Sequence, residues 1–338
     1  MEYLLREVVI ETTRRCNLDC MHCGSDCRAL VEKLELTICQ WQEVLTQLAD
    51  MKVEKVVFSG GEPTLKKGFE SLLLTAAGLG LKVGFISNGL QPFSDLLQEA
   101  ITQSQPFAVG LSIDGLKNVH NKIRRNENSW QGLMKNIFVL QRLAVPICAV
   151  TTLHKLNYQE LTRLGAFFDL AEVDSWQIQL AMPFGRMKTR RELLLGEQEF
   201  REVCRQVAVL RKQFSQISIQ AADCFGAASP DIIRSGCWNG CSAGISSLGI
   251  DASGNVMPCL SLQGGIRGEN VQSKPLSEIW KSSSIFDFNR QFDPGSVKGN
   301  CAGCNYLNQC RGGCNSQSFA YYGYLHSSPF CFVRSFQS

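Results

Sequence analysis

Cys16-Asn17-Leu18-Asp19-Cys20-Met21-His22-Cys23 puts three thiols on one short loop with C-x3-C-x2-C spacing. Three thiolates so spaced can hold three irons of a cubane [4Fe–4S] cluster and leave the fourth iron without a protein ligand. An open position on a metal is where chemistry takes place, the same distinction that separates catalytic from structural zinc sites. The competing reading is a zinc knuckle, which needs a fourth ligand, and Cys27 or His22 could supply it. A second concentration of cysteines follows: Cys237-x3-Cys241, Gly254-x4-Cys259, Cys301-x2-Cys304-x5-Cys310-x3-Cys314 and Cys331. These eight thiols would close two four-cysteine clusters, and two zinc sites in a ribbon-like module are the alternative. Cys39, Cys148 and Cys204 fall in apolar or helical patterns and are expected to be buried, inert thiols. Cys27 and Cys224 fall in loops.

The elements that must carry these loops are visible in the apolar pattern. Strands are expected at Leu5–Thr12, Lys55–Ser59, Lys82–Ser87, Ala108–Ile113, Ile147–Thr152 and Trp176–Ala181. Between them the helical spacing of Leu, Phe and Ala predicts helices at Ile38–Ala49, Phe69–Gly78, Ser94–Thr102, Trp130–Arg142 and Tyr158–Leu170. Such alternation argues for an α/β fold with a parallel sheet and right-handed crossovers. Six strands are too few for a full barrel, so a partial (β/α)6 TIM-type barrel is expected, with ligands at the carboxyl ends of its strands. Residues 1–189 would form this barrel. Residues 190–236 would be a bridging segment with a helix and a strand at Ile217–Ala221. Residues 237–338, rich in Gly, Ser and Cys, with strands at Ser246–Ile250 and Asn255–Pro258, have little apolar core and would need metal staples.

Sixteen cysteines among 338 residues are the unusual feature of the composition. In a reducing compartment metal ligation explains them better than disulfides do. Hydrophobic residues make up 44% and charged residues 19%, an ordinary globular balance. A formal net charge of +3, evenly spread, argues against nucleic acid or an anionic membrane as partner. The N-terminal apolar run contains Arg and Glu, and no segment carries 18 uninterrupted apolar residues, so a cytoplasmic chain is expected.

With the cysteine loop placed after the first strand, the sequence resembles the radical S-adenosylmethionine (SAM) superfamily. The likeness continues in order along residues 5–185. Gly60-Gly61-Glu62-Pro63 follows the second strand and matches the motif that meets the SAM amino group. Ser87-Asn88-Gly89 follows the third, and Leu111-Ser112-Ile113-Asp114-Gly115 ends the fourth. His120-x3-Arg124 resembles the element whose Arg meets the SAM carboxylate, although Asn121 stands where Asp is usual. The resemblance implies that Glu62 and backbone carbonyls hold the ammonium, that Arg124 and Ser112 hold the carboxylate, and that the His22 backbone meets adenine. Glycine at 60 and 61 lets the backbone approach a ligand closely. In that superfamily SAM chelates the open iron, and its reductive cleavage gives a 5′-deoxyadenosyl radical that abstracts hydrogen. Ser87, Asn88 and Asp114 could equally be turn-forming residues. His154 and His326 are expected at the surface.

The cysteines after residue 236 resemble the SPASM extension found in radical SAM peptide-modifying enzymes. That resemblance implies two interleaved auxiliary clusters, one on Cys237, Cys241, Cys259 and Cys314 and one on Cys301, Cys304, Cys310 and Cys331. With the first loop this makes three [4Fe–4S] clusters. Such relatives act mostly on ribosomally made peptides, by cross-linking, oxidation, decarboxylation or epimerisation, and others act in haem or pyrroloquinoline quinone pathways. Sulfatase maturases place Asp after the Gly-x4-Cys cysteine, whereas Leu260 and Ser261 follow it here. A peptide-modifying enzyme that installs a cross-link is therefore the first expectation, a tetrapyrrole decarboxylase the second, and a metal-stapled binding module without catalysis the third. A precursor peptide, an electron donor such as flavodoxin or ferredoxin, and a separate leader-recognition protein are the implied partners. With strand 1 expected within the first residues, no fused recognition domain is expected. Candidate catalytic residues are Cys224, a possible hydrogen donor, Asp223 near the bridging segment and Arg186 beyond strand 6.

Overall fold

Short runs of Val, Ile and Phe uninterrupted by charge suit strands buried on both faces, and a parallel sheet is built from them here. The computed structural model describes residues 3–27, 35–226, 240–262 and 265–331. Cys237, expected as a ligand, lies outside the described residues. Strands β1 (Glu7–Glu11), β2 (Lys55–Ser59), β3 (Lys82–Ser87), β4 (Ala108–Ser112), β5 (Ile147–Leu153) and β6 (Ser175–Leu180) lie side by side in chain order. Every neighbouring pair among them is parallel. Helices α1 (Ile38–Asp50), α2 (Phe69–Gly78), α3 (Asp95–Ser104), α4 (Lys117–Arg124), α5 (Ser129–Arg142) and α6 (Leu161–Leu170) occupy the crossovers. This is an open parallel α/β sheet, a partial TIM-type barrel, and its core holds fully buried Phe58, Phe69, Phe85, Phe168 and Trp176.

The sheet continues past both edges of these strands. Helix α7 (Glu197–Gln213) leads into β7 (Ser218–Ala221), which pairs parallel to β6. β8 (Ser247–Ile250) pairs parallel to β1, with Glu7 opposite Ser247, and β9 (Val256–Met257) runs antiparallel to β8. Among the described residues nine strands result, in the order β7-β6-β5-β4-β3-β2-β1-β8-β9. The first strand pair of the cysteine-rich segment thus rests directly on the strand that carries the cysteine loop. Helix α8 (Leu276–Ser282) buries Leu276, Ile279 and Trp280.

Local chemistry sets the helix starts. Thr37 caps α1 in a capping box, its Oγ1 accepting the Gln40 amide while the Gln40 side chain accepts the Thr37 amide at 2.8 Å. Ser94 caps α3 by accepting the Leu97 amide at 3.2 Å. Helix α4 carries no apolar stripe, because its buried face is His120, Asn121, Ile123 and Arg124. The polar face is buried for a reason: it is part of the site.

Three expectations about single residues are corrected. His154 is fully buried, not at the surface. His326 is half-buried rather than at the surface, and its ring nitrogens meet the carbonyls of Arg311 (2.8 Å) and Phe288 (2.9 Å). Cys39 is exposed at the start of α1, whose buried face is Trp41, Val44, Leu45 and Leu48. No helix among the described residues is long and apolar enough to cross a membrane.

Candidate active site

The cysteine loop leaves the carboxyl end of β1, and loops from the neighbouring strands fasten it. Beyond β2, the amides of Gly61 and Glu62 donate to the carbonyls of Thr13 (2.8 Å) and Arg15 (2.7 Å). Only glycine permits this approach. A Cβ on Gly61 would stand 2.1 Å from the Arg15 carbonyl oxygen, and one on Gly60, with φ +144°, 2.5 Å from that of Thr13. Beyond β3, the Asn88 amide group donates to Asn17 Oδ1 at 2.8 Å and approaches Cys16 Sγ at 3.8 Å. From α4, the Ile123 carbonyl accepts the Met21 amide at 2.9 Å. Beyond β6, the Arg186 amide donates to the Cys23 carbonyl at 3.0 Å and its Nε to the Cys20 carbonyl at 2.7 Å.

Glu62 joins the β2 and β3 loops. Its Oε1 accepts Thr64 Oγ1 (2.7 Å), Ser87 Oγ (2.9 Å) and the Thr64 amide (3.3 Å), and its Oε2 accepts the Asn88 amide (2.7 Å). Burial raises the pKa of this carboxyl, and the four donors oppose that rise. Pro63 opens the 3-10 turn Pro63–Leu65 that brings the Thr64 amide to Glu62. Ser87 and Asn88 therefore do more than form a turn: they connect Glu62 to Cys16.

A second buried network lies under Cys20. Asp114, with no exposed surface, accepts Arg124 Nε at 2.7 Å and Arg124 Nη2 at 2.6 Å on Oδ2, and the Thr152 amide at 3.0 Å on Oδ1. Burial alone would raise the Asp114 carboxyl, but the Arg124 guanidinium, His22 and His120 hold it well below the usual range. Arg124 Nη1 stands 3.8 Å from Cys20 Sγ. Its guanidinium is thus engaged by Asp114 on one side and the Cys20 thiol on the other. Ser112 sits half-buried at the end of β4. The His22 ring, rather than its backbone alone, is part of the network: Nε2 lies 3.3 Å from Asp114 Oδ2. Burial lowers the His22 pKa to about 4, so the ring is neutral near pH 7 and donates through Nε2.

The loop fits a metal cluster better than it fits a single ion. Burial pushes the Cys16 thiol up to about 11, with Cys20, Glu62 and Cys23 adding to the rise. Burial likewise raises Cys20, against the pull of Arg124. Such thiols act as ligands when a metal replaces their protons. Nδ1 of His22 and Nδ2 of Asn17 are buried there without a hydrogen-bond partner. Cys27, a possible fourth zinc ligand, points its thiol at Glu11 Oε1 (3.9 Å), and His22 is turned to Asp114. Among the described residues no three His, Cys, Asp or Glu side chains are gathered tightly enough for one metal ion. A cubane sets its thiolates on separate irons and asks for wider spacing than one ion does.

The later cysteines fall into two places. Cys301, Cys304, Cys310 and Cys331 line one pocket, with Tyr306, Leu307 and Phe330 among its other walls. Cys241, Cys259 and Cys314 lie elsewhere, close enough that Cys314 is pushed well above its usual range by burial and by Cys241, Cys224 and Cys259. The candidates Cys224 and Asp223 belong to that second neighbourhood. Cys224 Sγ accepts the Leu180 amide at 3.2 Å, and burial pushes its thiol to about 12. Asp223 adds to the rise at Cys241 and Cys259, where burial is the main cause. Arg186 faces the cysteine loop. Its grip on that loop, and the burial of His154 with its ring 5.7 Å from that of His22, had no signal in the sequence beyond a Pro-x-Gly-Arg run after a strand.

A three-cysteine loop at the carboxyl end of a parallel partial barrel, followed by further gathered cysteines, defines an iron–sulfur enzyme class. The chain belongs to the radical SAM superfamily and carries a SPASM domain: the profiles described as Radical SAM superfamily and Iron-sulfur cluster-binding domain match residues 10–168 and 241–305. It is 26% identical to the AdoMet-dependent heme synthase of Methanosarcina barkeri, over 97% of each chain. It is also 26% identical to the PqqA peptide cyclase of Bradyrhizobium diazoefficiens, over 96% of this chain and 85% of that one. The crystal structure of Streptococcus suis SuiB bound to precursor peptide SuiA has the same fold, with a TM-score of 0.78 and 20% identity over 97% of this chain and 76% of that one. The chain is therefore a radical SAM enzyme that uses SAM and a [4Fe–4S] cluster, and its SPASM domain implies further iron–sulfur binding.

Proposed function

We propose that this enzyme oxidises a ribosomally made precursor peptide and installs a cross-link. When bound, its SAM and clusters supply a 5′-deoxyadenosyl radical for hydrogen abstraction and an outlet for the second electron that cross-linking releases. Cys16, Cys20 and Cys23 hold the SAM-binding cluster in this reading. Gly60, Gly61, Glu62 and Pro63 shape the ammonium end of the SAM site, and Ser87 and Asn88 carry its position across to Cys16. Ser112 and the Nη1 edge of Arg124 face the carboxylate end, while Asp114 keeps Arg124 in place and His22 lies beneath. Two auxiliary [4Fe–4S] clusters sit on Cys237, Cys241, Cys259 and Cys314 and on Cys301, Cys304, Cys310 and Cys331. A flavodoxin or ferredoxin supplies electrons, and a separate protein brings the leader peptide.

The observation that carries the peptide reading is that Arg124 and Arg186, the arginines that meet Cys20, are already engaged. Arg124 is bound to Asp114, and Arg186 Nη1 lies 3.0 Å from Asp19 and 3.1 Å from Asp26. In this reading Arg124 is committed to Asp114 and to the SAM carboxylate, and Arg186 to the cysteine loop, so a tetrapyrrole's carboxylates would find no free partner in these two, whereas a peptide backbone needs no such anchor. The likeness to PqqA peptide cyclases points the same way. A second reading, decarboxylation of a tetrapyrrole, draws on the heme synthase of M. barkeri, which the chain matches over nearly its whole length. Mass spectrometry after coexpression with candidate precursor peptides decides between them. Loss of two hydrogens from a peptide is expected. Unchanged peptides, with carbon dioxide lost from a porphyrin propionate instead, would overturn the proposal.

A further inference from the structure

We propose that Gly185 and Arg186 form a strap that holds the cysteine loop in the shape its cluster requires and ties that loop to the cysteine-rich segment. The inference rests on the assignment of Cys16, Cys20 and Cys23 to the SAM-binding cluster. Arg186 is a positioning residue in this account, not a catalytic one.

The strap follows β6, in the 3-10 turn Gly185–Thr189. Arg186 alone makes a chain of contacts to residues 19–27. Its amide donates to the Cys23 carbonyl at 3.0 Å, and its Nε to the Cys20 carbonyl at 2.7 Å. Its Nη1 meets the carboxylates of Asp19 at 3.0 Å and Asp26 at 3.1 Å and the Cys27 carbonyl at 3.5 Å. One planar fork thus bonds the carbonyl of a cluster cysteine and draws together two like charges at opposite ends of the loop. Gly185 makes the approach possible. It adopts φ +50°, and a Cβ there would stand 2.4 Å from the carbonyl oxygens of both Cys23 and Gly24. No side chain fits at that distance.

The other end of the same segment reaches the cysteine-rich domain. Met187 is fully buried in a small cluster with Ala181 and Leu194, against which Tyr321 packs. The Ser316 hydroxyl lies 3.7 Å from the Met182 sulfur. Ser316 and Tyr321 belong to the helix Asn315–Tyr322, which begins directly after Cys314. One short stretch therefore touches Cys20 and Cys23 on one side and the helix adjoining Cys314 on the other.

The test uses the whole anaerobically purified enzyme. Iron release to a ferrous chelator is followed with and without SAM, alongside the EPR spectrum of the reduced protein. Arg186→Ala should accelerate release of one cluster's iron by about tenfold, the effect of losing one charge-assisted hydrogen bond. SAM should protect that iron less, and the SAM-induced change in the EPR signal should weaken. Arg186→Lys keeps the charge but not the fork, and should fall between. Gly185→Ala should reproduce Arg186→Ala. Iron release and EPR response identical to the parent would overturn the strap. So would faster loss from every cluster together with a lower melting temperature, or a raised substrate KM with unchanged iron release. The Cys16→Ala/Cys20→Ala/Cys23→Ala variant separates the two levels. Loss of one cluster's iron in that variant, together with parent-like iron release in Arg186→Ala, overturns the strap and leaves the cluster assignment standing; iron fully retained in that variant overturns the cluster assignment itself.

Discussion

Glu62→Gln is the substitution whose consequence the geometry constrains most closely. The carboxylate accepts from four donors: the Asn88 amide, the Thr64 amide and the hydroxyls of Thr64 and Ser87. A carboxamide cannot accept on both sides. With its NH2 toward Asn88 it sets donor against donor at a contact that is 2.7 Å long in the parent. Flipped, it keeps the Asn88 bond, can donate to the two hydroxyls, and abandons the weaker Thr64 amide bond of 3.3 Å. The flipped form is the better one, and it still converts charge-assisted bonds into neutral ones and removes the negative charge that the proposed site offers to the SAM ammonium. A hydrogen bond to a charged group contributes about 1.5–3 kcal/mol. SAM affinity should therefore fall by about tenfold to a hundredfold, because both the ammonium partner and the Ser87–Asn88 link to Cys16 are weakened. Anaerobic equilibrium dialysis of SAM against the reconstituted enzyme measures this, with iron content as the control for an intact cluster. A dissociation constant within a factor of about two of the parent, well under the tenfold that 1.4 kcal/mol represents, would refute the role given to Glu62.

Other expectations follow from the same contacts. Gly61→Ala should abolish SAM cleavage and lower iron content, because the new Cβ would meet the Arg15 carbonyl oxygen at 2.1 Å; normal iron and turnover would contradict it. Cys304→Ala should lower iron by about one cluster, while SAM cleavage without product formation persists, since Cys304 lines the pocket with Cys301, Cys310 and Cys331. His120 is neutral in the fold, its pKa lowered to about 3 mainly by burial, with Nδ1 accepting the Asp114 amide and Nε2 paired to Ser129 Oγ. The unfolded chain takes up a proton at His120 below about pH 6.5 and the folded chain does not until about 3, so stability falls as pH falls through that window. Chemical unfolding at a series of pH values should show a shallower fall for His120→Gln.

Most barrel strands were legible as short apolar β-branched runs, as parallel strands are, and β6, Ser-Trp-Gln-Ile-Gln-Leu, as a period-two alternation. The cysteine spacing and the Gly60–Glu62 loop were legible because each chemical need restricts residue type. Helix α4 was not, because its buried face is His120, Asn121 and Arg124, and a buried polar face leaves no apolar period to read. The pairing of β8 with β1 was hidden for another reason: Glu7 and Ser247 are joined only by tertiary structure, and nothing local to either strand names its partner. Arg186 reads in the sequence as a charge after a strand, open to contact with substrate, and only the fold brings it to Cys20, Asp19 and Asp26. Arg124 was legible as a site residue, but its engagement by Asp114 required the two loops to be seen together.

The central claim, that Cys16, Cys20 and Cys23 hold the cluster that cleaves SAM, has a direct measurement. Anaerobically reconstituted enzyme is reduced with dithionite, and 5′-deoxyadenosine formed from SAM is quantified for the parent and for the variant with all three cysteines replaced by Ala. The account predicts steady formation by the parent and none above background by the variant, with the iron of the later cysteines still bound. SAM cleavage retained by the variant would contradict it.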